Sequence, residues 1–227
     1  MTTIVGIKTE YEKPAVIIAS DLNITHTRWN TQGDVAYRQQ VKSEATKIYV
    51  DGKRNVAMSM SGVYDELYKN FLHDFMIDKI EMKKAIKDGF FNELKQLNEK
   101  RWGGKRPDND FMNTLIIATN FDKPRLYSCW PLGKMEEKPC LTLGSGSEYA
   151  SDYIFKQNKL IPQGISLEDG IRIAVSSLES ASQDIYTGGL DLVIITEDGI
   201  KEYGEEIKNV IKSAKDGIIN KVIKELK

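Results

Sequence analysis

The chain opens Met1-Thr2-Thr3. Once Met1 is cleaved, Thr2 carries a hydroxyl and a free α-amine on one residue, a nucleophile with its own base. An α-amine has an ordinary pKa of about 7.7–8.0, so a usable fraction is neutral near neutral pH. A neighbouring ammonium would lower that pKa and help the hydroxyl give up its proton. With Met1 attached, the nitrogen of Thr2 is an amide and cannot act as a base. A threonine at position 2 is also simply how many chains begin, so the chemistry needs support from groups elsewhere.

The composition narrows what that chemistry could act on. Lys and Arg number 32 against 33 Asp and Glu, a formal net charge of -1, which provides no global attraction for a nucleic-acid backbone or an anionic membrane. Hydrophobic residues at 41% and charged residues at 29% place the chain among globular rather than disordered proteins. Its 227 residues suit one well-cored domain and are short for two. Cys129 and Cys140 cannot form a disulfide framework, and neither lies in a CxxC or His/Cys metal spacing. The N-terminus lacks a basic region followed by a long apolar stretch, so no signal peptide is expected. Apolar runs such as Val16 to Ala19 and Leu115 to Ala118 fall far below the roughly 18 residues of a membrane span. The expected address is the cytoplasm, with neither membrane nor nucleic acid as a partner.

Strands are expected first. Thr3 to Thr9 and Ala15 to Ser20 flank a charged turn ending in Pro14 and read as a hairpin. Lys47 to Val50 and Asn55 to Met60 flank Asp51-Gly52 and read as a second. Between them, Asn23 to Thr46 is long for a plain loop, and extends the hairpin or forms a lid. Helical periodicity then takes over, with Val63, Leu67, Phe71 and Phe75 on one helix and Ile86, Phe90 and Leu94 on another. Strands resume at Met112 to Ala118, Leu126 to Trp130 and Cys140 to Leu143. Gly144-Ser145-Gly146-Ser147 introduces a helix through Asn158, and Ser166-Leu167-Glu168-Asp169 starts another carrying Ile171, Val175, Leu178 and Ala181. Leu190 to Thr196 is the last clear strand, and a Lys/Glu-rich helix with Ile207, Val210, Ile211, Ala214, Ile218 and Val222 on one stripe ends the chain. The order predicts an α+β sandwich with helices outside sheets, folded as one domain over 1–227.

Thr2-Thr3-Ile4-Val5-Gly6, then Ala19-Ser20-Asp21, then Lys47 before Ile48-Tyr49-Val50, resemble the opening of proteasome β-type subunits. Met58 to Gly62, Gly144 to Ser147, and Asp184 to Gly189 followed by Leu190 to Thr196 match that family's remaining landmarks in order. GSGS alone is a weak signal; the ordered set is a strong one. The start resembles the bacterial ATP-dependent protease ring of the same family, and the GSGS and Gly-Gly patterns the proteasome proper. The resemblance implies an N-terminal-nucleophile hydrolase fold, a four-layer αββα sandwich with two antiparallel sheets between helical layers.

The resemblance also implies roles. Thr2 is the nucleophile that attacks a peptide carbonyl. Lys47 is the cation that tunes the pKa values around it, and Asp21 pairs with Lys47 and holds it. Gly62 donates its backbone N–H to the oxyanion. Ser145, Asp184 and Thr187 form the hydrogen-bond group near the α-amine. Thr25 fits the position whose backbone lines the substrate cleft, and Met60 helps floor the first specificity pocket. The activity implied is a threonine-type endopeptidase subunit of a homo-oligomeric ring, acting on peptides or unfolded polypeptides delivered by a separate ATPase or cap. The chain itself has no P-loop. No metal and no organic cofactor is implied.

The pattern is not matched throughout. The serine usual three residues after the late aspartate is Thr187 here, which keeps the hydroxyl and adds a methyl. The span from Asp21 to Lys47 is about ten residues longer than the family norm, an insertion around 26–45 that loop entropy tolerates easily. An extra C-terminal helix is expected around 205–226. Two other functions stay open on the residues alone: an amidase or peptide ligase using the same nucleophile on a narrow substrate, and a non-catalytic ring or scaffold subunit. Residue by residue, plainer readings also stand. Asp21 ends a strand, Lys47 starts one, Gly144 to Ser147 caps a helix, and Asp184 closes one. His26 and His73 lie in no motif, and Trp29, Trp102 and Trp130 read as packing or interface residues.

Overall fold

A computed structural model describes residues 2–11, 13–32, 35–53, 55–61, 96, 114–130, 134–157, 164–184, 187–203 and 224, with side chains described outside 24–44, 114, 115, 130, 134 and 135. The helices expected between Val63 and Leu94, all but residue 224 of the helix expected around 205–226, and Gly62, expected to donate to the oxyanion, lie outside the described residues.

Two five-stranded antiparallel sheets stack face to face. In the first, β1 (Thr3–Thr9) and β2 (Ala15–Ser20) form the expected hairpin, flanked by β10 (Cys140–Gly144) on one side and β11 (Asp191–Thr196) with β12 (Gly199–Glu202) on the other. In the second, β5 (Ile48–Asp51), β6 (Val56–Ser61), β7 (Thr114–Asn120), β8 (Pro124–Trp130) and β9 (Lys134–Glu137) follow one another as a meander. A separate two-stranded ribbon, β3 (Asn23–Gln32) and β4 (Val35–Glu44), pairs over its full length. The stretch expected to extend the first hairpin or form a lid is instead a hairpin of its own, in a sheet separate from β1 and β2. β9 and β12 were not expected: KMEE and GIKE lack an apolar run, and each forms by completing the ladder of a strand already in place.

The strands of the first sheet are apolar on both faces because both are covered. Val5, Ile7, Ala15, Ile17, Ala19, Leu192 and Ile194 face a helical layer. The alternate residues Ile4, Val16, Ile18, Val193 and Ile195 meet Ile48, Ala57, Ile116, Ala118 and Leu126 of the second sheet. The helical layer holds α1 (Ser147–Lys156) and α2 (Leu167–Ala181). Ser166 caps α2 by accepting the N–H of Asp169 at 3.1 Å, as the sequence predicts, and Glu168 and Asp169 place negative charge in the first turn. Among the described residues the layers run helices, sheet, sheet, in keeping with the αββα sandwich.

Close approach of α2 to the first sheet depends on Gly170. A Cβ there would lie 2.6 Å from Thr9 Cγ2 and 2.8 Å from Ile17 Cδ1. Two effects oppose each other: helix propensity favours replacing glycine by about 1 kcal/mol, and overpacking costs about 1–3 kcal/mol. With Leu the added bulk decides the sign. Gly170→Leu is expected to lower the urea midpoint without changing the slope, and an unchanged or higher midpoint would show that α2 can back away from the sheet.

Thiol chemistry gives a second check. Cys129 on β8 is fully buried, and desolvation pushes its thiol up to about 12. Iodoacetamide at pH 8 should leave Cys129 unmodified in the folded protein and alkylate it in urea, read by peptide mass mapping.

Candidate active site

Chain segments far apart in sequence converge on the start of β1. Thr2 is buried at the head of that strand, and its carbonyl accepts the backbone N–H of Ser145 at 3.1 Å. The next residue, Thr3, donates its backbone N–H to Asp21 Oδ1 at 2.6 Å, and its carbonyl accepts the N–H of Asp21 at 3.0 Å. The β1–β2 register accounts for this, since Ile4 pairs with Ser20 and brings the residues just beyond together.

Asp21 and Lys47 form a buried ion pair. Lys47 Nζ donates to Asp21 Oδ1 at 2.8 Å, with side-chain exposures of 0% for the aspartate and 2% for the lysine. The same ammonium donates to the carbonyl of Asn23, at the start of β3. Asp21 Oδ2 accepts the N–H of Asn23 at 3.2 Å. Lys47 sits one residue before β5, and Ser59 Oγ of β6 holds its carbonyl at 3.0 Å. Burial pushes the Asp21 carboxyl up, against the pull of Lys47, and burial pushes the Lys47 ammonium down, against the pull of Asp21.

The third segment is the turn after β10. Gly144 has φ +100, and a Cβ on it would fall 1.4 Å from the carbonyl oxygen of Thr2, so the position requires glycine. Gly146 is the N-cap of α1, with no side-chain capping bond. The serines of this turn do not cap the helix, and Ser145 is exposed. Gly146 donates its N–H to Thr3 Oγ1 at 3.0 Å.

The fourth segment follows α2. The N–H of Asp184 bonds the Ala181 carbonyl at 2.9 Å, and the N–H of Thr187 bonds the Asp184 carbonyl at 3.0 Å, a turn that leads the chain back toward β1. Thr187 is buried; its hydroxyl contacts Asp184 Oδ2 at 3.2 Å and Thr3 Oγ1 at 2.7 Å. The carbonyl of Gly188 accepts the N–H of Leu22 at 2.9 Å, which joins this segment to Asp21's.

Thr2, Asp21, Lys47, Ser145, Asp184 and Thr187 are thus brought to one end of the first sheet. Thr25 lies on β3, paired with Lys42, where only the backbone is described. Met60 is buried on β6 beside Ser59. Gly62 is outside the described residues. Sequence reading missed Thr3, Asn23 and Gly146 as members of the site. A β-branched residue opening a strand gives no sign that its hydroxyl is used, and Asn23 and Gly146 act through backbone groups. Among the described residues no cluster of three or more His, Cys, Asp or Glu is placed to hold a metal ion. No helix among them is long and apolar enough to cross a membrane.

A family model described as Proteasome subunit matches residues 2–195. The chain is 33% identical over 105 residues to Proteasome subunit beta 2 of Pyrococcus furiosus, covering 45% of this chain and 50% of that protein. It is 38% identical over 109 residues to Proteasome subunit beta of Methanocaldococcus jannaschii, covering 45% and 47%. These alignments span about half the length of each relative. With Proteasome subunit beta of Haloquadratum walsbyi the alignment runs over 206 residues at 26% identity, 88% of this chain and 75% of that one.

The ion pair makes a sharp stability prediction. Removing one partner of a buried pair strands the other charge and costs about 3–5 kcal/mol, whereas replacing both by apolar or neutral groups is often neutral or stabilising. Asp21→Asn should therefore destabilise strongly, and adding Lys47→Met should recover most of the loss. The single variant's deficit should shrink as pH rises, because a Lys47 pKa already lowered by burial means the folded state sheds its proton before the unfolded state does. Urea titrations of both variants between neutral and alkaline pH test the sign.

Proposed function

The chain belongs to the proteasome subunit family, and we propose that it is a threonine-type endopeptidase of that family, with Thr2 as nucleophile after removal of Met1. What supports this is a single juxtaposition: the head of β1 carries Thr2 into contact with the 144–146 turn, and Thr3, one residue on, is bonded to the buried Asp21–Lys47 pair.

The chemistry follows from the groups present. The α-amine of Thr2 takes the hydroxyl proton while Oγ1 attacks the peptide carbonyl carbon. Lys47 lowers the basicity of its surroundings and favours the ionised hydroxyl. The Gly62 N–H receives the negative oxygen of the tetrahedral intermediate. Its collapse breaks the C–N bond, the leaving amine takes the proton from the Thr2 ammonium, and an ester to Thr2 remains. The same amine then deprotonates a water that attacks the ester carbonyl; the acyl C–O bond to Thr2 breaks, the acid product leaves, and the ammonium returns its proton to Oγ1. Ser145, Asp184 and Thr187 hold the hydrogen-bond environment of the amine. Thr25 lines the cleft, and Met60 sets an apolar first pocket. Substrates are unfolded polypeptides or short peptides; the subunit assembles as a homo-oligomeric ring in the cytoplasm and works with a separate ATPase or cap. The domain spans 1–227, with the ribbon as its insertion around 26–45 and an added helix around 205–226.

The β3–β4 ribbon favours one competing reading. It begins two residues after Asp21, so it is tied to the site by backbone. If it shields the ester from water, the enzyme becomes an amidase or ligase. Offering amine nucleophiles with a peptide then yields transpeptidation products in place of hydrolysis.

The proposal is tested at residue 2. A threonine-reactive electrophile should label Thr2, located by peptide mapping, on protein whose intact mass lacks one methionine. Thr2→Ala should lower peptide cleavage by about a thousandfold or more while leaving assembly intact. Full turnover by Thr2→Ala would remove the nucleophile assignment. Permanent retention of Met1 together with no turnover would point to a scaffold subunit.

A further inference from the structure

Thr3 stands next to the proposed nucleophile, and its side chain is more fully engaged than a strand residue needs to be. Its hydroxyl is buried, 2.7 Å from Thr187 Oγ1, and it accepts the Gly146 N–H at 3.0 Å. Thr187 Oγ1 in turn donates to Asp184 Oδ2 at 3.2 Å. Proton counting sets the direction of the chain. Each hydroxyl owns one proton, and an ionised carboxylate only accepts. The Thr187 proton is committed to Asp184, so the 2.7 Å contact must be filled by the Thr3 proton. The order is Gly146 N–H to Thr3 Oγ1–H to Thr187 Oγ1–H to Asp184 Oδ2, with every donor pointing toward the carboxylate.

We propose that Thr3 is a positioning residue for the reaction at Thr2, the central link of a one-way hydrogen-bond relay that locks the 144–146 turn and Asp184 to the strand bearing the nucleophile. The inference rests on the threonine-peptidase reading above. Two features of the structure are explained by it. Thr3 is clamped from the other side, its N–H on Asp21 Oδ1, so the relay and the ion pair share one residue as hinge. Gly146 has no room for a side chain: a Cβ would lie 2.6 Å from Thr3 Oγ1 and 2.9 Å from Thr187 Oγ1, wedged into the relay itself. Linked donors polarise one another in a buried setting, so losing the middle member weakens the bonds on both sides.

The test is kinetic. Thr3→Val keeps the shape of the side chain and deletes its proton and lone pairs. Loss of one net hydrogen bond from the transition state corresponds to about a tenfold fall in kcat, with KM held within about twofold because no substrate contact is removed. Thr3→Ser should recover most of that fall. Thr187→Val should reproduce it, and the double variant Thr3→Val/Thr187→Val should lose no more than the worse single, the signature of residues acting in one chain. Melting curves confirm that each variant is folded at the assay temperature; should Thr3→Val fail to fold, Thr3→Ala removes the same hydroxyl with less bulk. A Thr3→Val or Thr3→Ala enzyme with parental kcat, or losses that simply add in the double variant, overturns the relay while leaving Thr2 as nucleophile. A parent protein lacking Met1 that neither labels at Thr2 nor cleaves peptides overturns the peptidase reading, and this inference with it.

Discussion

The buried pairing of Asp21 with Lys47 is the constraint around which the rest of the site is arranged. Two charges removed from water each carry a desolvation cost of several kcal/mol, and their attraction offsets it only when the remaining lone pairs and protons are also satisfied. Asp21 meets that condition by accepting from three directions: the Lys47 ammonium, the Thr3 N–H and the Asn23 N–H. Lys47 adds the Asn23 carbonyl. The pair therefore fastens β1, the end of β2, the start of β3 and the approach to β5 into one unit. A looser arrangement would leave a buried charge exposed to no partner, so the geometry is held by the penalty for departing from it.

Sheet topology brings the remaining groups to that unit. β1 runs between β2, its neighbour in sequence, and β10, which arrives from more than a hundred residues later. β11 pairs with β2 in the same way from the other side. The turns that precede α1 and β11 are consequently delivered to the same end of the sheet, where they meet Thr2 and Thr3. Gly144 lets the backbone of one turn touch the Thr2 carbonyl. The functional groups sit on strand ends and tight turns backed by two hydrophobic cores, and such supports hold side chains in place better than free loops do. The hydroxyls of Thr3 and Thr187 illustrate the result, meeting across 184 positions of sequence.

The parts of the fold legible in the sequence were those with strong local signals. The β1–β2 hairpin, the β5–β6 hairpin around Asp51-Gly52 and the Ser166 cap of α2 each follow from residues in direct succession. β9 and β12 were invisible because their residues carry no pattern of their own; an open edge supplied the hydrogen bonds. The long ribbon was ambiguous because a polar run such as NITHTRWNTQ satisfies strand propensity through Thr and Trp without an apolar face to give it away. In the site, Asp21, Lys47 and the glycine-serine turn could be singled out as motifs. Thr3 could not, since nothing in a β-branched opening strand announces a partner at position 187.

Residue types and their order therefore set out the groups on offer: a threonine hydroxyl near the start of the chain, a carboxylate, an ammonium and a turn rich in glycine. Local periodicity settled that strands and helices would alternate in blocks. Which of those groups touch was left to the assembled sheets. Short-range propensity acts over a few residues, whereas the contacts that join Thr3 to Thr187, or Asp21 to Lys47, exist only after both layers have packed and water has been excluded. That exclusion makes an ion pair and a chain of hydroxyls strong enough to hold a site in place, and it is a property of the folded volume rather than of any stretch of chain.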